Sequence, residues 1–173
     1  METVLPKRKS HHLQGYDYSQ NGAYFITICT HQRRMLFGPN RAPVGADSIS
    51  ARMAARVFRE IIGQYPAVHC RYFVVMPNHF HALVEIERAR ADMESAPTII
   101  SIVQAFKRYS TVEYIGLVKR GQAAPFDKHL WQRSFHDHVI RNETDYRMIA
   151  EYIQSNPRLW HKDCFYEESS HEP

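Results

Sequence analysis

Two β-rich stretches, Cys70 to Met76 and Phe80 to Glu87, are separated only by Pro77-Asn78-His79. So short a connection can join only antiparallel neighbours, because parallel strands need a crossover of about a dozen residues or more. This hairpin constrains the rest of the fold. Ala23 to Thr30 (AYFITICT) is rich in aromatic and β-branched residues, opens after Asn21-Gly22, and reads as a further buried strand. Trp131 to Ile140 reads as another.

Helical spacing fills the gaps between these strands. From Ile49 to Ile62, the residues Met53, Ala54, Val57, Phe58, Ile61 and Ile62 recur on one face. Asp47 or Ser48 can cap this helix and Gly63 can end it. Thr98 caps a second helix, with a stripe of Ile99, Ile102, Val103, Phe106 and Tyr109; Gln104, Lys107, Arg108 and Thr111 are expected to face away. A looser stretch is expected from Gly116 to Lys128. A last helix runs from about Glu143 to Asn156 and is stopped by Pro157.

The order strand, helix, strand, strand, helix, strand, helix indicates an α+β fold: a ferredoxin-like antiparallel sheet with helices packed on it, the C-terminal helix carrying Tyr152. With 173 residues, 44% of them hydrophobic, the chain can bury one core, so residues 21–173 are expected to form a single domain. Residues 1–20, containing Lys7, Arg8 and Lys9, show no hydrophobic period and read as a mobile basic arm.

The formal charge of +4 favours a polyanionic partner. Three widely spaced cysteines, Cys29, Cys70 and Cys164, suggest neither a disulfide framework nor a thiolate metal site, which fits a reducing compartment. There is no run of about 18 apolar residues and no signal-peptide pattern at the N-terminus. A cytoplasmic protein without a membrane partner is therefore expected.

Two groups of residues carry chemistry. His79 and His81 lie two apart in a strand, so both imidazoles point to one face and can converge on one ion; eleven histidines also make a chance His-x-His easy. On the last helix Tyr146, Ile149, Ala150 and Ile153 form the packing stripe. Tyr152 stands at its border, with Asn156 one turn later on the same side. A core-edge tyrosine and a helix-ending asparagine are the plainer readings of that pair.

Collinear blocks decide between these readings. They are Gly22 to Gly38 (GAYFITICTHQRRMLFG), Met76-Pro77-Asn78-His79-Phe80-His81, Phe106-Lys107, Trp131-Gln132-Arg133, His138 to Asn142 and Glu151 to Pro157. In this order they resemble the REP-associated tyrosine transposases, a branch of the single-tyrosine HUH transposases of bacterial insertion elements. The resemblance implies that His79 and His81 hold a divalent cation, Mg²⁺ or Mn²⁺, and that Tyr152 is the nucleophile. It also implies that Asn156 completes the metal shell.

The same resemblance implies cleavage and rejoining of single-stranded DNA, folded into REP-type hairpins, through a 5′-phosphotyrosine. Lys7, Arg8, Lys9, Arg33, Arg34, Lys107, Arg108 and Arg141 are the candidates for tracking the DNA backbone. Monomer and homodimer are both compatible with the sequence. A catalytically silent single-stranded nucleic-acid-binding protein of the same fold is the alternative, and a zinc hydrolase using water as nucleophile is a further rival.

Overall fold

A computed structural model describes residues 16–18, 20–39, 48–87 and 97–166. The arm residues Lys7, Arg8 and Lys9, and the alternative cap Asp47, lie outside the described residues. The elements are β1 (Gly22–Cys29), α1 (Ile49–Gly63), β2 (Val68–Val75), β3 (His79–Ile86), α2 (Ile99–Lys119), β4 (His136–Ile140) and α3 (Glu143–Ser155). One four-stranded sheet has the order β2-β3-β1-β4, with every neighbouring pair antiparallel. The expected hairpin is therefore β2 and β3. β1 and β2 run parallel with β3 between them, and β3 and β4 run parallel with β1 between them, so α1 and α2 are crossovers of two interleaved βαβ units. This is the ferredoxin-like α+β arrangement that the element order predicts.

The strand period sorts the side chains into two layers. Phe80, Ala82, Val84 and Ile86 of β3, with Tyr24, Ile26 and Ile28 of β1, face a core closed by Phe58 of α1 and Phe106 of α2. Leu83 of β3 points the other way and packs with Ala150 and Ile153 of α3, flanked by Phe25, Tyr72 and Tyr146. Two helices thus cover one face and α3 covers the other. Phe80 is fully buried against the rings of Phe58 and Phe106, each 4.7 Å away. Its two histidine neighbours consequently project toward α3.

Local chemistry sets the helix starts. Ser48 Oγ accepts from Ala51 N at 3.0 Å, which makes Ser48 the cap of α1. Thr98 and Ser101 form a reciprocal capping box on α2, and Asn142 Oδ1 accepts from Asp145 N at 2.8 Å on α3. Gly63 is the last residue of α1 rather than its terminator; Gln64 is the cap.

Several expectations change. α2 continues through Gly116 to Lys119, because Ser110, Tyr114 and Leu117 extend its buried stripe past the point where the sequence loosens. Tyr109 leaves that stripe and is 51% exposed, since Ser110 follows Phe106 at the four-residue spacing. The fourth strand begins at His136, not at Trp131. The Trp131 indole N–H donates to Ser110 Oγ on α2 at 2.9 Å, and Trp131 pairs with Thr30, just past β1, in an isolated bridge. The packed region also reaches back into the expected arm: Tyr18 is buried beside Tyr16 and Tyr24, and its hydroxyl donates to Asp137 on β4.

Candidate active site

His79 and His81 stand at the start of β3, opposite Cys29 and Thr27 of β1. Both are buried, and their ring centroids lie 4.4 Å apart. Burial pushes both imidazoles below the ordinary histidine range, which keeps them neutral; Asp163 opposes the effect. Each ring is held through Nδ1. His81 Nδ1 lies 2.8 Å from Thr27 Oγ1, and His79 Nδ1 lies 2.7 Å from Asn78 Oδ1. The Asn78 amide is oriented by its Nδ2, which donates to Phe165 O at 2.9 Å. Its oxygen therefore faces His79, so His79 Nδ1 carries the proton and Nε2 carries a bare lone pair.

Tyr152 reaches this spot from α3. Its hydroxyl lies 3.2 Å from His81 Nε2 and donates to Asp163 Oδ2 at 2.6 Å. Phe25 of β1 holds the ring edge-on from below, at 6.0 Å. Burial and the bond to the Asp163 carboxylate push the phenol far above its ordinary range, so its proton is held tightly in this arrangement. Asn156, one turn on, is 2% exposed and keeps a right-handed helical backbone. It is not a left-handed cap. Its Nδ2 donates to Asp163 Oδ2 at 2.5 Å, and its Oδ1 is buried without a hydrogen-bond partner.

Asp163 is the site residue that sequence reasoning missed. It follows a short helical turn, Trp160–Lys162, beyond Pro157, where the helix signal had ended. Fully buried Trp160 packs with Met76 and anchors this turn, and Phe165 N donates to Asp163 Oδ1 at 2.7 Å. Burial alone would raise the carboxyl; the facing His81 ring and the hydrogen bonds from Tyr152, Phe165 N and Asn156 outweigh it and hold the group well below the usual carboxylate range. Trp160-His161-Lys162-Asp163, an aromatic anchor followed by an acid, was the available signal.

The donor set fits a divalent cation. His79, His81 and Asp163 offer ligand atoms all within 4.8 Å of one another, and His79 Nε2 and Asn156 Oδ1 are buried polar atoms without partners. Such orphaned atoms each cost about 1–3 kcal/mol unless something fills the gap. A pocket of about 160 Å³ opens beside Tyr152, lined by Ser155, Asn156, Leu159, Lys162 and Asp163. A phenol and a carboxylate lining this pocket, with two neutral imidazoles buried behind them, can support phosphoryl transfer to the phenol.

The family model described as "Transposase IS200 like" matches residues 20–156, which include the strands, both histidines, Tyr152 and Asn156. The chain belongs to the IS200-like transposase family. A Haemophilus influenzae relative, described only as an uncharacterized protein, is 31% identical over 169 residues, covering 92% of this transposase and 93% of the relative. The fold is similar to that of a REP-associated tyrosine transposase solved bound to a REP hairpin. That likeness has a TM-score of 0.59 at 22% identity, over 88% of this chain and 74% of the other.

The basic side chains of this transposase are dispersed differently from one another. Arg33 and Arg34 are exposed at the turn after β1, with Arg33 over the Phe165 ring at 5.3 Å and Arg34 Nη2 donating to Pro125 O. Gln32 and Arg33 both adopt positive φ, 55° and 53°, which turns the chain sharply beside the site. Arg108 on α2 and Arg141 after β4 are exposed. Lys107 is turned inward, contrary to expectation. Its Nζ donates to Gln132 O, Arg133 O and Ser134 O at 2.8–3.2 Å. Among the described residues no helix is long and apolar enough to cross a membrane.

Proposed function

We propose that this transposase is a single-tyrosine HUH endonuclease that cuts and rejoins single-stranded DNA, with Tyr152 as nucleophile. The observation that carries the reading is the placement of the Tyr152 hydroxyl 3.2 Å from His81 Nε2, across the interface between α3 and the sheet. The same hydroxyl meets Asp163, so the phenol stands among the three groups whose ligand atoms converge.

His79, His81 and Asn156 Oδ1 would hold Mg²⁺ or Mn²⁺. Bound there, the cation would polarise the scissile phosphate and offset charge in the transition state. Phe25 fixes the attacking ring, and Thr27 and Asn78 fix the two imidazoles. Tyr152 Oη forms a bond to phosphorus while the bond from phosphorus to the 3′-oxygen breaks. The phenol loses its proton and the departing 3′-oxygen gains one.

The product is a 5′-phosphotyrosine, which keeps the energy of the phosphodiester. Rejoining is the reverse attack by a 3′-hydroxyl and needs no ATP. REP-type hairpins are the proposed substrate class, supported by the hairpin bound to the structurally similar transposase. Arg33, Arg34, Arg108 and Arg141, with Lys7, Arg8 and Lys9, are proposed to contact the backbone, with the protein acting as monomer or homodimer.

The test is incubation with end-labelled hairpin oligonucleotides taken from palindromes flanking the gene, with Mn²⁺ or Mg²⁺, followed by denaturing electrophoresis. A labelled protein–DNA adduct is expected from the natural chain and from Tyr146→Phe, and none from Tyr152→Phe, which should still bind the hairpin. An adduct formed by Tyr152→Phe would overturn the assignment of the nucleophile.

A further inference from the structure

We propose that Asp163, which lies beyond the end of the family match at residue 156, is an anionic ligand of the same cation. The proposal rests on the metal-binding part of the function above.

The first argument is the direction of the lone pairs. The Asn78 amide fixes the proton of His79 on Nδ1, so bare Nε2 faces Asp163 Oδ2 across 3.9 Å of protein interior. His81 Nε2 lies at the same 3.9 Å from that oxygen, with the Tyr152 hydroxyl 3.2 Å from the imidazole nitrogen and donating to the carboxylate. His79 Nε2 and Asp163 Oδ2, two acceptors aimed at one another without a hydrogen between them, repel. A cation among them turns the repulsion into attraction, and two ligand bonds of about 2.1 Å can bridge such a gap.

The second argument is charge. The Asp163 side chain is 1% exposed, and among the described residues the only basic nitrogens within ion-pair distance are the two imidazoles, each 3.9 Å away. Its remaining partners, the Tyr152 hydroxyl, the Asn156 amide and Phe165 N, are neutral donors. A buried carboxylate is costly without a positive charge nearby. Two imidazoles and an amide make an uncharged ligand set, and hard divalent cations favour anionic oxygen. One ion on Asp163 meets both requirements.

The third argument is rigidity. Asp163 is held on one side by Phe165 N and on the other by Asn156 Nδ2, on a turn anchored by fully buried Trp160. A ligand fixed this way loses little freedom on binding. The competing role is a hydrogen-bond clamp that only orients Tyr152 and Asn156. Asp163→Asn separates the two, since it keeps shape and an acceptor oxygen and removes the charge.

The experiment is Mn²⁺ titration of the purified full chain without DNA, read by the spin-resonance signal of free Mn²⁺, with folding checked by circular dichroism. Asp163→Asn should weaken Mn²⁺ by about ten- to a hundredfold, and His81→Ala by at least as much. An unchanged Kd in folded Asp163→Asn beside a weakened His81→Ala overturns the Asp163 assignment alone. A natural chain that binds no Mn²⁺ overturns this proposal and the metal-binding reading together, while the Tyr152 adduct test stands apart.

If Asp163→Asn does not fold, the natural chain isotopically labelled at the aspartate carboxyl carbon gives the answer by electron–nuclear double resonance with bound Mn²⁺. A directly ligated carboxylate is expected. Its absence overturns the proposal.

Discussion

At the scale of single residues, Asn156 has two separable duties. Its backbone N–H closes the last turn of α3 on Tyr152 O at 3.0 Å, and its side chain enters the site. Asn156→Ala leaves the first and removes the second. It should require much more Mn²⁺ or Mg²⁺ for cleavage, with His81→Ala affected more strongly. An unchanged metal titration in folded protein would reduce Asn156 to the end of a helix. The cysteines supply a prediction independent of the site. Burial raises Cys29 to about 11 and Cys70 to about 12, while Cys164 is exposed. At pH 8 iodoacetamide should label Cys164 first and reach Cys29 and Cys70 only on unfolding, because the thiolate is the reactive form. Buried Cys29 and half-buried Cys70 hold their protons more tightly in the folded chain than in the unfolded one. Their stabilising contribution is therefore fully present below pH 9 and is lost as the pH rises through about 11 and about 12. Urea midpoints at pH 8 and pH 11 check the sign, and Cys70→Ala should flatten the slope.

At the scale of elements, α2 holds the segment before β4 through Lys107. Burial lowers its ammonium to about 8, so most of the charge survives at neutral pH, and the three carbonyls of residues 132–134 accept its hydrogen bonds. These bonds tie the segment before β4, which begins at His136, to α2. Lys107→Met should lower stability by about 2–3 kcal/mol in thermal or urea unfolding, the scale of hydrogen bonds to a charged group left unmade. Hairpin affinity, measured where the variant is fully folded, should change little. A large loss of affinity with unchanged stability would return Lys107 to the list of phosphate contacts.

At the scale of the whole molecule, a net charge of +4 is modest, so DNA affinity depends on where the charges sit. Hairpin affinity should fall as salt rises, with a slope reduced by about 0.7–0.9 for each phosphate-contacting arginine removed. Arg33→Ala and Arg34→Ala are the informative variants, being exposed on the turn after β1, where Arg33 lies over the Phe165 ring that packs on His79. Equal affinity for a hairpin and a matched blunt duplex would count against recognition of an exposed strand.

The sequence by itself determined the elements that follow from periodicity and turn chemistry: the β2–β3 hairpin, the apolar faces of α1 and α3, and the common face of His79 and His81. Those signals are local, since strand alternation and helical pitch act over a few residues. The tertiary structure decided what depends on packing between distant segments. It put Ser110, Tyr114 and Leu117 on the buried side of α2, docked Trp131 on that helix, and turned Lys107 inward. Above all it folded the turn after Pro157 back over β3, so that Trp160 is buried and Asp163 meets residues that precede it by more than eighty positions. An acid in a polar stretch beyond a proline gives no periodic signal, and only the closing of that turn on the sheet makes it part of the site.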